Sequence, residues 1–257
     1  MTGNTTEWAP LAATVRQALA RRVHEHPQPA GSGLDGWLPR YDEYIVAVSG
    51  VAGSVGATTV SLAVATAAAS AGPVRLVECA AAVRSGLVAA ARAELGAGRG
   101  GWTRGDRDGV TLIRRSPGSL FAAPPPPPLE DAVLTVLDVG DLLAERPPER
   151  LAAAAAVGTW VLVARATIPS LRQLELVLDL GPTRDPIVAI VGRPPQRWPR
   201  SLSSAVQPRT RALLGTGRCV AFRYDRHLAV TGLTPDPLPA HLAASARKLL
   251  TLSEGQP

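Results

Sequence analysis

The fold of this chain is decided by a short loop of small and hydroxyl-bearing residues, Gly53-Ser54-Val55-Gly56-Ala57-Thr58-Thr59. An apolar run at 44–48 precedes the loop and an alanine-rich run at 57–70 follows its first residues. The first run predicts a short buried strand and the second predicts a helix. In a strand–loop–helix unit, backbone N–H groups and the helix N-terminus point at a bound anion. The loop therefore predicts a phosphate-binding site at the start of the helix.

The loop lacks the cation that such a site normally carries. Ordinary phosphate-binding loops add a lysine that contacts the β- and γ-phosphates and a Ser or Thr hydroxyl that holds Mg²⁺. The hydroxyl groups are present at Thr58 and Thr59, but Ala57 occupies the lysine position. Lys248 is the only lysine in the chain. The sequence thus predicts the frame of a phosphate site with reduced positive charge.

Short apolar runs alternate with helical stretches along most of the chain. Strands are expected at 44–48, 74–78, 110–114, 133–137, 159–163, 186–191 and 219–222, and helices at 57–70, 80–95, 149–157, 169–180, 200–214 and 239–252. This alternation predicts right-handed βαβ units, and continuous Val, Ile and Leu runs are typical of parallel strands buried on both faces. The expected fold class is α/β, with a mostly parallel central sheet and helices on both faces in three layers.

The loop resembles the deviant phosphate-binding loop of the MinD/ParA ATPases, whose pattern is Lys-Gly-Gly-x-Gly-Lys-Thr-Thr. In register, this chain has Ala52-Gly53-Ser54-Val55-Gly56-Ala57-Thr58-Thr59. Alanine occupies both lysine positions, while the double threonine is kept. Within the family the chain looks most similar to the pilus-localisation branch, the TadZ/CpaE type, and to septum-site relatives from actinobacteria. The resemblance implies the three-layer P-loop NTPase fold.

Three later stretches extend the resemblance over about residues 44–250. The family follows its second strand with Asp-x-Asp-Pro-x-x-Gly, and here Glu78 stands for the first Asp. Ala80 stands for the second Asp, which helps to activate the attacking water in the family. Asp138 resembles the Walker B aspartate that holds Mg²⁺ through water. The third stretch resembles the pattern after the next strand through Arg165, Thr167 and Ser170.

The resemblance implies a nucleotide site whose cofactor would be ATP or ADP with Mg²⁺. Its cofactor-binding residues would be Gly53, Ser54, Val55, Gly56, Ala57, Thr58, Thr59 and Arg193, and its metal ligands Thr58 and Asp138. Arg193 follows a predicted strand and would lie beside the base, near Trp198, which either stacks on the base or anchors the next helix. No catalytic residue is assigned. Losing one charged contact typically lowers the rate by about 10²–10³-fold. We therefore expect impaired hydrolysis, with weak nucleotide binding or none.

Three functional hypotheses follow. The first is a catalytically impaired localisation, partition or scaffolding factor that binds protein partners, with a homodimer across the loop face, in pilus assembly or secretion, conjugation or septum placement. The second is an active ATPase in which an arginine, Arg84 or Arg165, replaces the lysine. The third is a DNA-associated partition protein, because the net charge of +6 comes almost wholly from arginine. Codon usage in a GC-rich genome explains the same arginine excess.

The domain organisation is expected to be an N-terminal helix and linker at 1–40, followed by the P-loop domain at 41–257. The apolar stripe of the N-terminal helix would dock on the main domain or bind a membrane or partner. No run of 18 apolar residues lacks charge, Gly or Pro, so no transmembrane segment is expected. The first residues do not resemble a signal peptide. Cys79 and Cys219 are expected to be free thiols, and a cytoplasmic location is expected.

Overall fold

A computed structural model of the protein describes residues 44–79, 86–97, 102–115, 134–141, 158–180 and 186–254. Several of the expectations above fall on other parts of the chain. They are the N-terminal helix and linker at 1–40, the helix at 149–157, and the positions of Ala80 and Arg84, all of which lie outside the described residues.

A nine-stranded sheet forms the centre of the described part. Its strands are β1 (Tyr44–Gly50), β2 (Val74–Glu78), β3 (Ala93–Ala97), β4 (Trp102–Arg107), β5 (Val110–Arg115), β6 (Leu134–Asp141), β7 (Thr159–Arg165), β8 (Ile187–Val191) and β9 (Cys219–Phe222). They are ordered β3-β4-β5-β2-β6-β1-β7-β8-β9 across the sheet. All pairings from β5 to β9 are parallel, while β3–β4 and β4–β5 are antiparallel. The predicted α/β class with a mostly parallel sheet is confirmed.

The helices of the described part are α1 (Ala57–Ala68), α2 (Ile168–Leu180), α3 (Arg200–Ser204), α4 (Pro208–Gly215), α5 (Arg226–Thr231) and α6 (Ala240–Glu254), with a 3₁₀ turn at Pro195–Arg197. α1 packs against α6 and against strands β1, β2 and β6. Alternate residues of β1 enter different apolar clusters, Val46 and Val48 the larger one and Ile45 and Ala47 the smaller one. Because successive side chains of a strand point to opposite faces, both faces of the sheet are covered.

The prediction of a helix at 80–95 is wrong for residues 86–95, which are the part of this stretch that the structure describes. Residues 86–92 form a turn, and β3 begins at Ala93. The stretch at 96–109, which reads as a Gly/Arg-rich loop, contains β4 instead. Helix propensity is weak and tertiary contacts override it. The predicted helix at 200–214 is two helices, because Pro208 has no N–H to continue the first one and begins α4.

Two buried arginines explain why the segment after β2 is not helical. The guanidinium of Arg114 donates to the carbonyl oxygens of Leu87 (3.3 Å) and Val88 (2.7 Å), and it also pairs with Glu94. The fully buried guanidinium of Arg107 donates to Ala90 O at 3.0 Å, and to the carbonyl oxygens of Thr234 and Asp236. Carbonyl groups that a helix would use are thus bound by side chains of β4 and β5. These bonds also fix the turn beside α1.

Both cysteines are free thiols, as predicted. Cys79 is buried, and burial raises the pKa of Cys219 to about 12. Among the described residues, no helix is long and apolar enough to cross a membrane.

Candidate functional site

The phosphate loop lies between the end of β1 and the start of α1. Gly56 has a φ of 100°, which glycine adopts without steric strain, and Ser54 has a φ of 59°. The first helical hydrogen bond runs from Val60 N–H to Gly56 O at 3.0 Å. Within the described ranges, the N–H groups of Ser54, Val55 and Gly56 donate to no protein acceptor. These donors remain available for an anion at the helix N-terminus.

Close packing holds the loop against the sheet. A Cβ on Gly50 would lie 2.8 Å from Ala52 O and 2.9 Å from Val55 Cγ2, so only glycine allows the chain to fold back here. The side chain of Val55 is buried and belongs to the core. The N–H group of Val51 donates to Val163 O in β7 at 3.0 Å. The loop is therefore anchored to the core, while Gly53 and Ser54 at its tip are exposed.

Asp138 and Thr58, the two predicted metal ligands, lie next to each other. Asp138 lies in the buried part of β6, which ends at Val139, and is 1% exposed. Burial raises the pKa of Asp138 to about 6, and hydrogen bonds from the Thr58 hydroxyl, the Gly140 N–H and the Ser61 hydroxyl oppose this shift. Glu78, which is also buried, is the Cα partner of Asp138 in β2. The acid is thus held under the first turn of α1.

The pair fits a divalent cation. Oδ1 of Asp138 is a buried acceptor with no hydrogen-bond partner in the part of the chain that the structure describes. P-loop proteins hold Mg²⁺ with the loop Ser or Thr and a Walker B Asp, and Mg²⁺ prefers such oxygen ligands. Gly86 closes one side of this site, since a Cβ there would lie 3.0 Å from Thr58 Cγ2 and 3.4 Å from Thr58 Oγ1. Thr58 and Asp138 are therefore the residues that would hold the metal.

A cavity of about 270 Å³ opens beside the loop, at the carboxyl ends of β7, β8 and β9. Parallel sheets bind ligands at this end of their strands. The loop and α1 contribute Ser54, Gly56 and Thr59 to its wall, and the strand ends contribute Arg165 and Tyr224. The Arg165 guanidinium carbon lies 5.3 Å from the centre of the Tyr224 ring. The loop therefore faces a cationic and aromatic wall.

Arg193 lies outside this cavity. It lines a neighbouring groove of about 1090 Å³, which also contains Arg197, Arg223 and Arg226. Tyr224 lines both spaces, and it also lines a third cavity that Arg193 shares with Arg165. The predicted loop residues and Arg193 thus belong to adjoining cavities. Near Arg193, the half-buried Trp198 packs on the core and donates from Nε1 to Arg193 O at 2.7 Å, which favours its role as an anchor.

Sequence reasoning missed several residues around the site. Ser61 follows Thr58 by three residues, and this helical spacing could have predicted that both hydroxyl groups lie on the same face of α1. Tyr224 and Gly86 come from loops whose path depends on tertiary contacts. A Cβ on Gly53 would lie 3.6 Å from Asp141 Oδ2, so a second carboxylate lies beside the loop. Asp225 caps α5, because its Oδ1 accepts the Leu228 N–H at 3.0 Å.

Comparison with solved structures places this architecture among known folds. A chain of the MinC:MinD cell division complex from Aquifex aeolicus superposes with a TM-score of 0.52 at 13% identity, covering 81% of this chain and 96% of that chain. The Aquifex aeolicus MinD cell division protein gives a TM-score of 0.49 at 14% identity, covering 81% of this chain and 97% of that chain. A putative plasmid partition protein from Borrelia burgdorferi bound to AMPPNP gives 0.47 at 11% identity, covering 82% and 99%.

No protein-family model matches the sequence, and no curated protein matches it. The likeness to solved structures is therefore one of fold, at low sequence identity. The superposition on the MinC:MinD chain covers nearly the whole of that chain and most of this one. This chain shares its α/β fold with a chain of the Aquifex aeolicus MinC:MinD structure.

Proposed function

We propose that this chain is a catalytically impaired MinD/ParA-like P-loop protein that acts as a localisation, partition or scaffolding factor. It binds ADP or ATP weakly, with Mg²⁺ at Thr58 and Asp138, and binds protein partners as a homodimer across the loop face. The process is pilus assembly or secretion, conjugation or septum placement in an actinobacterial-type cell. Residues 1–40 form a helix and linker attached to the P-loop domain at 41–257.

One observation carries this proposal. The frame of a phosphate site is intact, since the loop is anchored, its N–H groups are unpaired among the described residues, and Asp138 lies against Thr58. The charged groups that drive phosphoryl transfer are replaced by alanine at positions 52, 57 and 80. An intact frame with reduced charge favours holding a nucleotide over hydrolysing it.

The proposal is tested by separating binding from turnover in the full chain. We expect isothermal titration to detect weak binding of ADP and of ATP with Mg²⁺, and a phosphate-release assay to show no turnover above buffer. Sedimentation with and without nucleotide reports the proposed homodimer. Turnover at the rate of an active MinD/ParA-type ATPase would refute the impaired enzyme and support the alternative in which an arginine replaces the lysine.

A DNA-associated partition protein is the second candidate, and the arginine groove favours it. Arg193, Arg197, Arg223 and Arg226 are exposed, and within the described ranges they form no ion pair or side-chain hydrogen bond. Each arginine that contacts a DNA phosphate adds about 0.9 to the slope of log affinity against log salt. A four-arginine groove beside an exposed tyrosine is an arrangement that suits a nucleic-acid backbone.

The groove's role in DNA binding is measured by fluorescence anisotropy with duplex DNA over a range of salt. Arg193→Ala/Arg226→Ala is expected to lower the salt slope by up to about 2. The matched control is Arg247→Ala/Lys248→Ala, which removes the same charge from exposed residues that do not line the groove. If both double variants change the slope equally, the positive charge acts in general and the groove is not a DNA site.

A further inference from the structure

The side chain of Arg165 gives the cavity beside the loop a positive charge, although the loop itself has no basic residue. We propose that Arg165 binds the phosphate groups of a nucleoside diphosphate in this cavity, in place of the lysines that the loop lacks, and that Tyr224 positions its guanidinium. This inference rests on the proposed function, because it identifies the residue through which the weak nucleotide site acquires its charge.

The position of Arg165 is fixed by its neighbours. It is the last residue of β7 and lines the same cavity as Ser54 and Gly56. Its backbone N–H donates to Ser170 Oγ at 2.9 Å, which holds the strand end against the start of α2. Its guanidinium lies over the Tyr224 ring, with 5.3 Å between Cζ and the ring centroid. The charge is therefore held in one place before any ligand arrives.

The guanidinium of Arg165 has an unused donor. Its Nε is buried and has no hydrogen-bond partner within the described part of the chain, and no acid there forms an ion pair with it. A buried donor without an acceptor is unfavourable, so an anion that supplies the acceptor is bound more tightly. Guanidinium groups bind phosphate oxygens through paired, charge-assisted hydrogen bonds. The ligand that satisfies Arg165 is thus one with adjacent phosphate oxygens.

Other charged groups on the cavity wall do not compete for this role. Asp225 is occupied, because its Oδ1 accepts the Leu228 N–H and its Oδ2 lies 3.9 Å from His241 Nε2. Arg223 is exposed and faces the arginine groove as well as this cavity. Only the half-buried Arg165 combines a fixed side chain with an unpaired buried donor, so it loses little conformational entropy on binding.

The test measures ADP and adenosine binding to the full chain by isothermal titration. Arg165→Ala is expected to weaken ADP binding on the order of 10- to 100-fold, as for the loss of a charge-assisted contact, and to leave adenosine binding unchanged. Arg165→Lys should retain part of the affinity. Adding Ala57→Lys to the Arg165→Ala variant should restore ADP binding, because a lysine on the loop supplies the same charge from the other side of the ligand.

Arg247→Ala is the matched control, since Arg247 is exposed and lines none of these cavities. Thermal unfolding of each variant separates a binding defect from a folding defect, and restoration by the added Ala57→Lys substitution does so independently. If Arg165→Ala binds ADP as tightly as the wild type, this inference is wrong while the proposed function stands. Wild-type hydrolysis of ATP refutes the proposed function alone. If the wild type binds no ADP at millimolar concentration, both fail.

Discussion

Ala57→Lys is expected to bind ATP with Mg²⁺ about 10- to 100-fold more tightly than the wild type. Ala57 is the first residue of α1, behind the loop and next to Gly50. A lysine there adds an ammonium group beside loop N–H groups that have no protein acceptor in the described part of the chain, and a hydrogen bond from a charged donor contributes about 1.5–3 kcal/mol. Isothermal titration of the variant and of the wild type under the same conditions measures the gain.

The same variant is expected to remain a poor ATPase. The resemblance assigns activation of the attacking water to the position that Ala80 occupies, so a lysine restores affinity without restoring this step. The double variant Ala57→Lys/Ala80→Asp should therefore be the first to release phosphate at a measurable rate.

Ser70→Lys is the control for Ala57→Lys, because it adds the same charge at an exposed position beyond the other end of α1. Equal affinity gains from the two lysines would mean that overall charge, and not the loop, sets nucleotide binding. No gain in affinity from Ala57→Lys would mean that the loop does not form a phosphate site. Nucleotide binding would then no longer be part of the proposed function.

The sequence predicted the centre of the fold because local and global signals agree there. The apolar runs of β1, β7 and β8 are nearly continuous, as is typical of buried parallel strands, and the loop glycines mark the turn from β1 into α1. The antiparallel edge formed by β3 and β4 was not predicted. β3 is exposed along its length and β4 carries three charged residues, so neither strand forms an apolar run, and the bonds of Arg107 and Arg114 to distant carbonyl groups determine the path of this edge.

The candidate site was predictable where its residues are close in sequence. The loop and Thr58 occupy consecutive positions, and Asp138 follows a strand that the apolar pattern marks. The opposite wall was harder to predict, because Arg165 and Tyr224 meet only when β7 and β9 end at the same edge of the sheet. Arg193, which was expected at the nucleotide, lines a neighbouring groove and shares a further cavity with Arg165 and Tyr224, so its role there stays a prediction. Such placements depend on loop paths that carry no local pattern.

Asp138→Asn is expected to stabilise the protein at pH 8 by up to about 3 kcal/mol in the absence of Mg²⁺. Burial raises the pKa of Asp138 from 3.8 to about 6, so the folded state binds this proton more tightly than the unfolded state does. The contribution of protonated Asp138 to the free energy of unfolding is fully present below about pH 4 and is lost as the pH rises through about 6. A shift of about two units corresponds to about 3 kcal/mol. Asparagine stays neutral at every pH and avoids the loss.

Urea unfolding of both proteins between pH 4 and pH 8 measures this effect. The difference in unfolding free energy should be small at pH 4 and grow up to pH 8, whereas Asp179→Asn, at an exposed ion pair with Arg209, should show no such growth. A difference that does not depend on pH would mean that Asp138 is not the titrating group.

A bound Mg²⁺ would explain why the wild type has a buried acid that destabilises it at neutral pH. A buried carboxylate that costs stability at neutral pH is relieved by a cation held between Asp138 and Thr58. Mg²⁺ alone should therefore stabilise the wild type at pH 8 and leave Asp138→Asn unchanged, since a ligand stabilises only the state that binds it. If Mg²⁺ stabilises both proteins equally, the cation binds elsewhere, and Asp138 with Thr58 is a packing feature of the fold.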